Sequence, residues 1–154
     1  MPVFTTKYSA LSNRLVNETS IIYNKNKVVA KSQWDTGATC TCVSHDVVNK
    51  LGLIPTSMTR VQTPSGSKDV NVYLVDVELP GHVVIGNVLV CESEIGDQGI
   101  DALIGMNIIN LGDFAVSNNS KTYFTFRVPS EEHIDFIVED KKKKIINKSH
   151  SKKK

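Results

Sequence analysis

An all-β domain is what this chain predicts, and two observations carry the prediction. Short apolar runs of strand type recur between turn signals, and several alternate apolar with polar residues, as in VNVYLVDV over residues 70–77. Such alternation places one face of a pleated strand on a core and the other in water. A length of 154 residues suits one domain with a core-forming body of about 120 to 130 residues.

In chain order the strand-like runs are LSNRLV, KVVAKSQW, SMTRVQT, VNVYLVDVEL, HVVIGNVLV and YFTFRV. Two stretches read as short helices. In SHDVVNKLG, Ser44 is placed to cap the amino end, Val47, Val48 and Leu51 form one apolar face, and Gly52 is placed to end the helix. In GMNIINLG, residues 105–112, Met106, Ile108 and Ile109 are expected to face inward. Between SMTRVQT and VNVYLVDVEL, the sequence QTPSGS concentrates Pro64, Ser65 and Gly66 and predicts a hairpin turn, which local sequence alone reads as a plain surface turn.

The formal charge of +2 hides an asymmetry. Residues 1–140 carry ten basic and sixteen acidic groups, whereas residues 141–154 hold eight lysines and no acid. We therefore read residues 1–130 as the folded domain and 131–154 as a charged, disordered, Lys-rich tail. Contact of that tail with nucleic acid or an anionic surface is a further reading. It lacks interleaved aromatics and arginines, so such binding would be non-specific and salt-sensitive.

No apolar run approaches the length of a membrane span, and the first residues, MPVFTTKYSALSNR, lack the regions of a signal peptide, which predicts a cytoplasmic protein with no membrane partner. Release from a larger precursor is one reading of the chain and independent expression, which Met1 suggests, is the other. Cys40, Cys42 and Cys91 are odd in number and match no zinc spacing, so they read as reduced, partly buried thiols. His45, His82, His133 and His150 show no clustering. No metal or other cofactor is expected.

The run KSQWDTGATCTCVS sets Asp35 behind an apolar strand ending in Trp34, with Thr36, Gly37 and Ala38 following. Trp34 reads as core packing. A carboxylate at a buried strand end is costly unless hydrogen bonds or chemistry offset the cost. Capping of local amides by a loop aspartate would suffice as an explanation. Context sharpens the motif: about seventy residues on, Ala102-Leu103-Ile104-Gly105 sets apolar residues and a glycine before a short helix, and the Pro64–Ser67 turn lies between.

Three elements in this order resemble the retropepsin-like aspartic proteases, and the wording WDTGAT, LGL and LIGMNIINLGDFAVSN looks closest to their bacterial or mobile-element branch. The resemblance spans roughly residues 10–130 and implies a closed, β-sheet-rich single lobe with one or two short helices and a flap hairpin. By position it implies Asp35 as the catalytic aspartate, Thr36 as the threonine clasping its counterpart across a dimer, and Gly37 as a contact to substrate backbone. Ala38 and Thr39 would also face substrate, and Ser65, Gly66 and Ser67 would form the flap tip. Thr39 and Met106 stand where viral members commonly place an acid and an arginine that pair, so neither charge is stranded.

A second Asp-Thr-Gly or Asp-Ser-Gly is absent: Asp97-Gln98-Gly99 has the wrong middle residue, and Asp101 and Asp113 lack the tripeptide. With no internal repeat, the second carboxylate must come from a second chain. The expectation is an aspartic endopeptidase acting on peptide or protein substrates as a C2 homodimer, with water activated between two Asp35 carboxylates that share one proton. Ala38 carries no hydroxyl to favour the charged carboxylate, which predicts activity at mildly acidic to near-neutral pH. The other reading is a non-catalytic peptide-binding or assembly module that keeps the dimeric protease fold.

Overall fold

The computed structural model describes residues 2–151, with side chains described as far as residue 146. Lysines 152–154 of the expected tail lie outside the described residues. Among the described residues ten strands and three α-helices follow in the order β1 (Val3–Lys7), β2 (Leu15–Tyr23), β3 (Asn26–Trp34), β4 (Thr41–Val43), α1 (His45–Leu51), β5 (Ser57–Thr63), β6 (Gly66–Leu79), β7 (Val83–Glu92), β8 (Ala102–Ile104), α2 (Met106–Ile109), β9 (Asp113–Ser117), β10 (Tyr123–Arg127) and α3 (Phe136–Ser151), with one 3-10 turn, Gly96–Gln98, before β8.

Seven strands form one sheet in the order β2-β3-β8-β4-β7-β6-β5, and β2 also pairs with β6 through Ser20–Glu78, Ile21–Val77 and Ile22–Asp76. That pairing closes the sheet into a barrel around Ile21, Ala30, Val43, Val77, Val90, Ala102 and Ile104, each fully buried. The remaining strands form a second sheet, β1-β10-β9, that joins the two ends of the domain. Aromatic packing couples the sheets. Trp34, at the end of β3, lies 4.9 Å from Phe124 and 5.1 Å from Phe126 between ring centroids, and Phe4 completes the cluster at 5.7 Å from Trp34. Trp34 is thus a core residue, as its position after an apolar run implied, and its indole N–H donates to Asn17 Oδ1 at 2.9 Å.

Helix α1 forms as its sequence dictates. The Ser44 hydroxyl accepts from Val47 N, Gly52 ends the helix in the left-handed conformation at φ 60°, and Val47, Val48 and Leu51 are buried. In α2, Ile108 and Ile109 are buried while Met106 is half-buried. Three strands escaped the sequence reading, one of them the three-residue β4, Thr41–Val43. VFTTK became β1 and DFAVS became β9, while β2 extends from LSNRLV through Asn17, Thr19 and Ser20. Those polar residues hid β2 because they are satisfied inside: Thr19 Oγ1 and Ser32 Oγ lie 2.7 Å apart on paired strands, both buried.

The segment after residue 130, which sequence alone leaves as a disordered tail, is helical over Phe136–Ser151. Asp135 caps the helix by accepting from the N–H groups of Ile137 and Val138 at 2.8 and 3.4 Å. Lys144 pairs with Asp140 one turn back at 2.7 Å, and lysine is itself a good helix former. Its side chains from Phe136 to residue 146 are exposed, so the segment is solvated as expected although it is not coil. Among the described residues no helix is long and apolar enough to cross a membrane.

The end of the domain is tied back by Asp113 on β9. Its carboxylate accepts from Ser130 Oγ at 2.5 Å, from Glu131 N at 2.9 Å and from Arg127. These donors hold the Asp113 carboxyl well below the usual carboxylate range, with Ser130 the largest influence. A carboxylate whose folded value is depressed stabilises the fold above its unfolded value of about 3.9, and that stability is lost as pH falls below it. Asp113→Asn is therefore expected to lower stability at neutral pH, with the gap from wild type narrowing below about pH 4. Urea unfolding at neutral and acidic pH measures this; a gap that stays constant would contradict it.

Candidate active site

Strand β3 delivers Asp35 to the edge of the barrel and β8 holds it there. The two run parallel, Trp34 opposite Ile104, and Asp35 N donates to Ile104 O at 2.9 Å. The chain then turns at once: Ala38 N donates to Asp35 O at 3.2 Å, and Gly37 N donates to Asp35 Oδ1 at 2.8 Å. A β-carbon at position 37 would lie 3.1 Å from that carboxylate oxygen, so the glycine keeps the approach to Asp35 open. The carboxylate is half-buried, and among the described residues its other oxygen meets no donor. Thr36 and Gly37 are exposed at the apex of the turn, and within the described residues the Thr36 hydroxyl has no partner.

Gly105 shows why the second motif needs its glycine. A β-carbon there would fall 2.6 Å from the carbonyl carbon and oxygen of Cys40 and 2.9 Å from Ala38 O. The backbones of the two motifs are in contact, and Met106 N donates to Ala38 O at 2.8 Å. Two residues that the sequence reading passed over complete the junction. Asn107 Oδ1 accepts both Thr41 N at 2.8 Å and Thr41 Oγ1 at 2.7 Å, while Thr41 Oγ1 accepts Gly105 N at 3.1 Å. Asn107 Nδ2 donates to Leu89 O at 3.0 Å, so one amide side chain ties the Asp35 loop, α2 and β7 together. The signal was present as an Asn two residues after the late glycine, but its meaning depends on a fold that brings residue 41 beside residue 107.

A cleft of about 730 Å³ opens beside this loop, walled by Gly37, Ala38, Thr39 and Cys40 on one side and by Met58, Arg60 and Gln62 of β5 on the other. Strands β5 and β6 form the expected hairpin, with Thr63 opposite Gly66 and Pro64-Ser65 as the two-residue turn. Gly66 sits at φ 116°, a conformation L side chains rarely adopt, and Ser67 Oγ donates to Gln62 Oε1 at 2.7 Å. The structure thus brings Gly37, Ala38 and Thr39 to the cleft. Ser65 lines the neighbouring pocket beside Ile95 and Gln98, and Gly66 and Ser67 line neither.

Three thiols gather at the cleft. Cys40 Sγ and Cys91 Sγ are 2.9 Å apart, and Cys42 pairs with Cys91 across the parallel strands β4 and β7. The Cys40 thiol, hydrogen-bonded to Cys91 and buried, is pushed far above its ordinary range, whereas the same hydrogen bond pulls Cys91 down to about 7. Burial raises Cys42 to about 11, with Cys91 and the Asp35 carboxylate adding to the rise. Among the described residues no cluster of His, Cys, Asp and Glu has the form of a metal site.

Comparison with known proteins agrees with this geometry. A family model described as aspartyl protease matches residues 22–108, which include both motifs and the hairpin. A retropepsin-like aspartic protease from Rickettsia conorii superposes with a TM-score of 0.55 at 18% identity, covering 82% of this chain and 94% of that one. The Simian Foamy Virus protease aligns at 23% identity over 62% of this chain and 92% of its own, with a TM-score of 0.45. The retroviral protease-like domain of Ddi1 from Leishmania major aligns at 16% identity over 71% and 93%, with a TM-score of 0.43. No curated protein matches the chain in sequence. The family match covers more than half of the residues and the Rickettsia structure shares the architecture, so the chain belongs to the aspartyl protease family and is an aspartic protease of retropepsin-like fold.

Proposed function

We propose that the chain is an aspartic endopeptidase that works as a C2 homodimer, with Asp35 of each protomer at the two-fold axis and no cofactor. The observation that carries the reading is the state of the Asp35 loop. One carboxylate stands half-buried at a strand end with a single hydrogen bond, next to an exposed Thr36 whose hydroxyl has no partner among the described residues. A second copy of the loop facing the first would supply the missing carboxylate and a mate for Thr36.

In such a pair the two carboxylates share one proton, because like charges in close contact cannot both remain ionised cheaply. The ionised Asp35 takes a proton from water as its oxygen attacks the peptide carbonyl carbon. The protonated Asp35 gives its proton to the carbonyl oxygen, forming a tetrahedral diol. Transfer of a proton to the amide nitrogen then breaks the C–N bond and releases a carboxylic acid and an amine. Gly37 leaves room for the substrate backbone over the carboxylates. Ala38 and Thr39 line the cleft on the loop side, and the hairpin with Ser65, Gly66 and Ser67 at its tip closes over an extended peptide. Peptide or protein is the partner this cleft fits, with apolar residues preferred beside the cut bond.

Mass-spectrometric cleavage profiling of a diverse peptide mixture from about pH 4 to about pH 8, together with sedimentation of the same sample, tests the proposal. Defined cuts from a dimeric species are expected at mildly acidic to near-neutral pH. A chain that stays monomeric at assay concentration would overturn the dimer. A folded dimer that binds peptides and cuts none would move the reading to a peptide-binding module.

A further inference from the structure

Three cysteines line one cleft and only two of them touch. Cys40 Sγ lies 2.9 Å from Cys91 Sγ, while the Cys42 thiol is turned to Cys40 O at 3.6 Å. Cys91 belongs to β7 in the middle of the seven-stranded sheet, whereas Cys40 ends the irregular segment between Asp35 and β4. A disulfide needs its sulfurs at about 2.0 Å, so the two thiols need approach by only about 0.9 Å, and the Cys40 segment is the one free of strand pairing. We propose that Cys40 and Cys91 form a reversible redox couple in the cleft wall, closing to a disulfide under peroxide and opening under thiol reductant.

The chemistry balances within the pair. With the Cys40 thiol donating across the 2.9 Å contact, the hydrogen bond favours the Cys91 thiolate. That thiolate attacks a peroxide oxygen, the O–O bond breaks, and Cys91 becomes a sulfenic acid as the departing hydroxide takes a proton to form water. Cys40 then attacks the sulfenic sulfur, the S–O bond breaks, and the leaving hydroxide carries off the Cys40 proton as a second water. Two thiols have lost two electrons and the peroxide has gained them.

Closure acts on the cleft because Cys40 stands between Ala38, whose carbonyl is held by Met106 N, and Thr41, whose hydroxyl holds Gly105 N. Drawing Cys40 toward β7 shifts that whole segment, and displacement of about 1 Å near reacting groups costs catalysis heavily. The loss of cleavage rests on the protease reading above; formation of the disulfide does not.

The full chain, wild type and Asp35→Asn, is treated with hydrogen peroxide, alkylated with iodoacetamide and mapped by mass spectrometry, with peptide cleavage followed in parallel. One cross-link joining Cys40 to Cys91 is expected, with Cys42 alkylated and dithiothreitol reversing the bond. Cys42→Ser keeps the cross-link, and Cys40→Ser and Cys91→Ser lose it. Wild-type cleavage should fall by about tenfold or more on oxidation and return on reduction. A cross-link through Cys42, or passage to sulfinic acid with no cross-link, overturns the couple even if the reduced enzyme cuts peptides. An unchanged cleavage rate in the cross-linked enzyme overturns its control of the cleft. If both proteins cross-link while reduced wild type cuts nothing, the couple stands and the protease reading falls.

Discussion

Asp35→Asn is expected to abolish peptide cleavage while leaving the fold intact. An amide at position 35 still offers an oxygen to Gly37 N, so the local hydrogen bond at 2.8 Å survives and the turn has no reason to rearrange. What disappears is the ability to take a proton from water and to return one to the carbonyl. General acid–base contributions run to about 10⁴-fold, and replacement in both protomers removes both roles, so a drop of at least about 10⁴ in kcat is expected, equivalent to about 5.5 kcal/mol in the barrier. Mixing sharpens the test. With equal amounts of the two chains and random pairing, about a quarter of the dimers carry two aspartates, so activity per wild-type chain falls to about half. A monomeric enzyme would lose nothing on mixing. Residual activity in Asp35→Asn close to wild type would remove Asp35 from the chemistry.

Gly105→Ala is expected to be the most damaging single methyl group near the site. The added carbon would meet backbone atoms of Cys40 at 2.6 Å and Ala38 O at 2.9 Å, and backbone cannot swing aside as a side-chain tip can. The clash is relieved only by separating β8 from the Asp35 loop, which breaks the bond from Met106 N to Ala38 O and strains Thr41 against Asn107. Overpacking typically costs about 1 to 3 kcal/mol, and unyielding backbone neighbours put this site at the upper end, a large part of the stability of a small domain. Thermal or urea unfolding reads the loss, and cleavage should be impaired even at temperatures where the variant remains folded. A variant as stable as wild type would show that the two motifs can part without penalty.

Much of this architecture was legible from sequence. SMTRVQT gave the bounds of β5 without adjustment, KVVAKSQW lacked only Asn26 of β3, and the caps of α1 were readable as Ser44 and Gly52 because capping is local chemistry. What escaped depended on distant partners. VFTTK became a strand only because Tyr123–Arg127 lies alongside it, and the polar stretch through Asn17 and Thr19 only because Trp34 and Ser32 satisfy it. At the site, Asp35, Thr36 and Gly37 were visible as a contiguous motif. Thr41, Asn107 and the Cys40–Cys91 contact join residues 51 to 66 positions apart, and no local pattern marks such a meeting. In the tail a lysine block signals solvation, while the helix over Phe136–Ser151 draws on its Asp135 cap and an i,i+4 acid.

The pairing of Val3 with Arg127 sets a timetable for the newborn chain. Strand β1 is synthesised well before its partner β10, which at common synthesis rates is a wait of about ten seconds. Throughout that interval Phe4 lacks Phe124 and Phe126, and the Asp35 loop waits in the same way for Ile104 and Asn107. A nascent chain that has not yet reached Ile104 and Asn107 therefore holds the Asp-Thr-Gly tripeptide without the scaffold that shapes it, so peptide-cutting capacity is deferred until those residues are made.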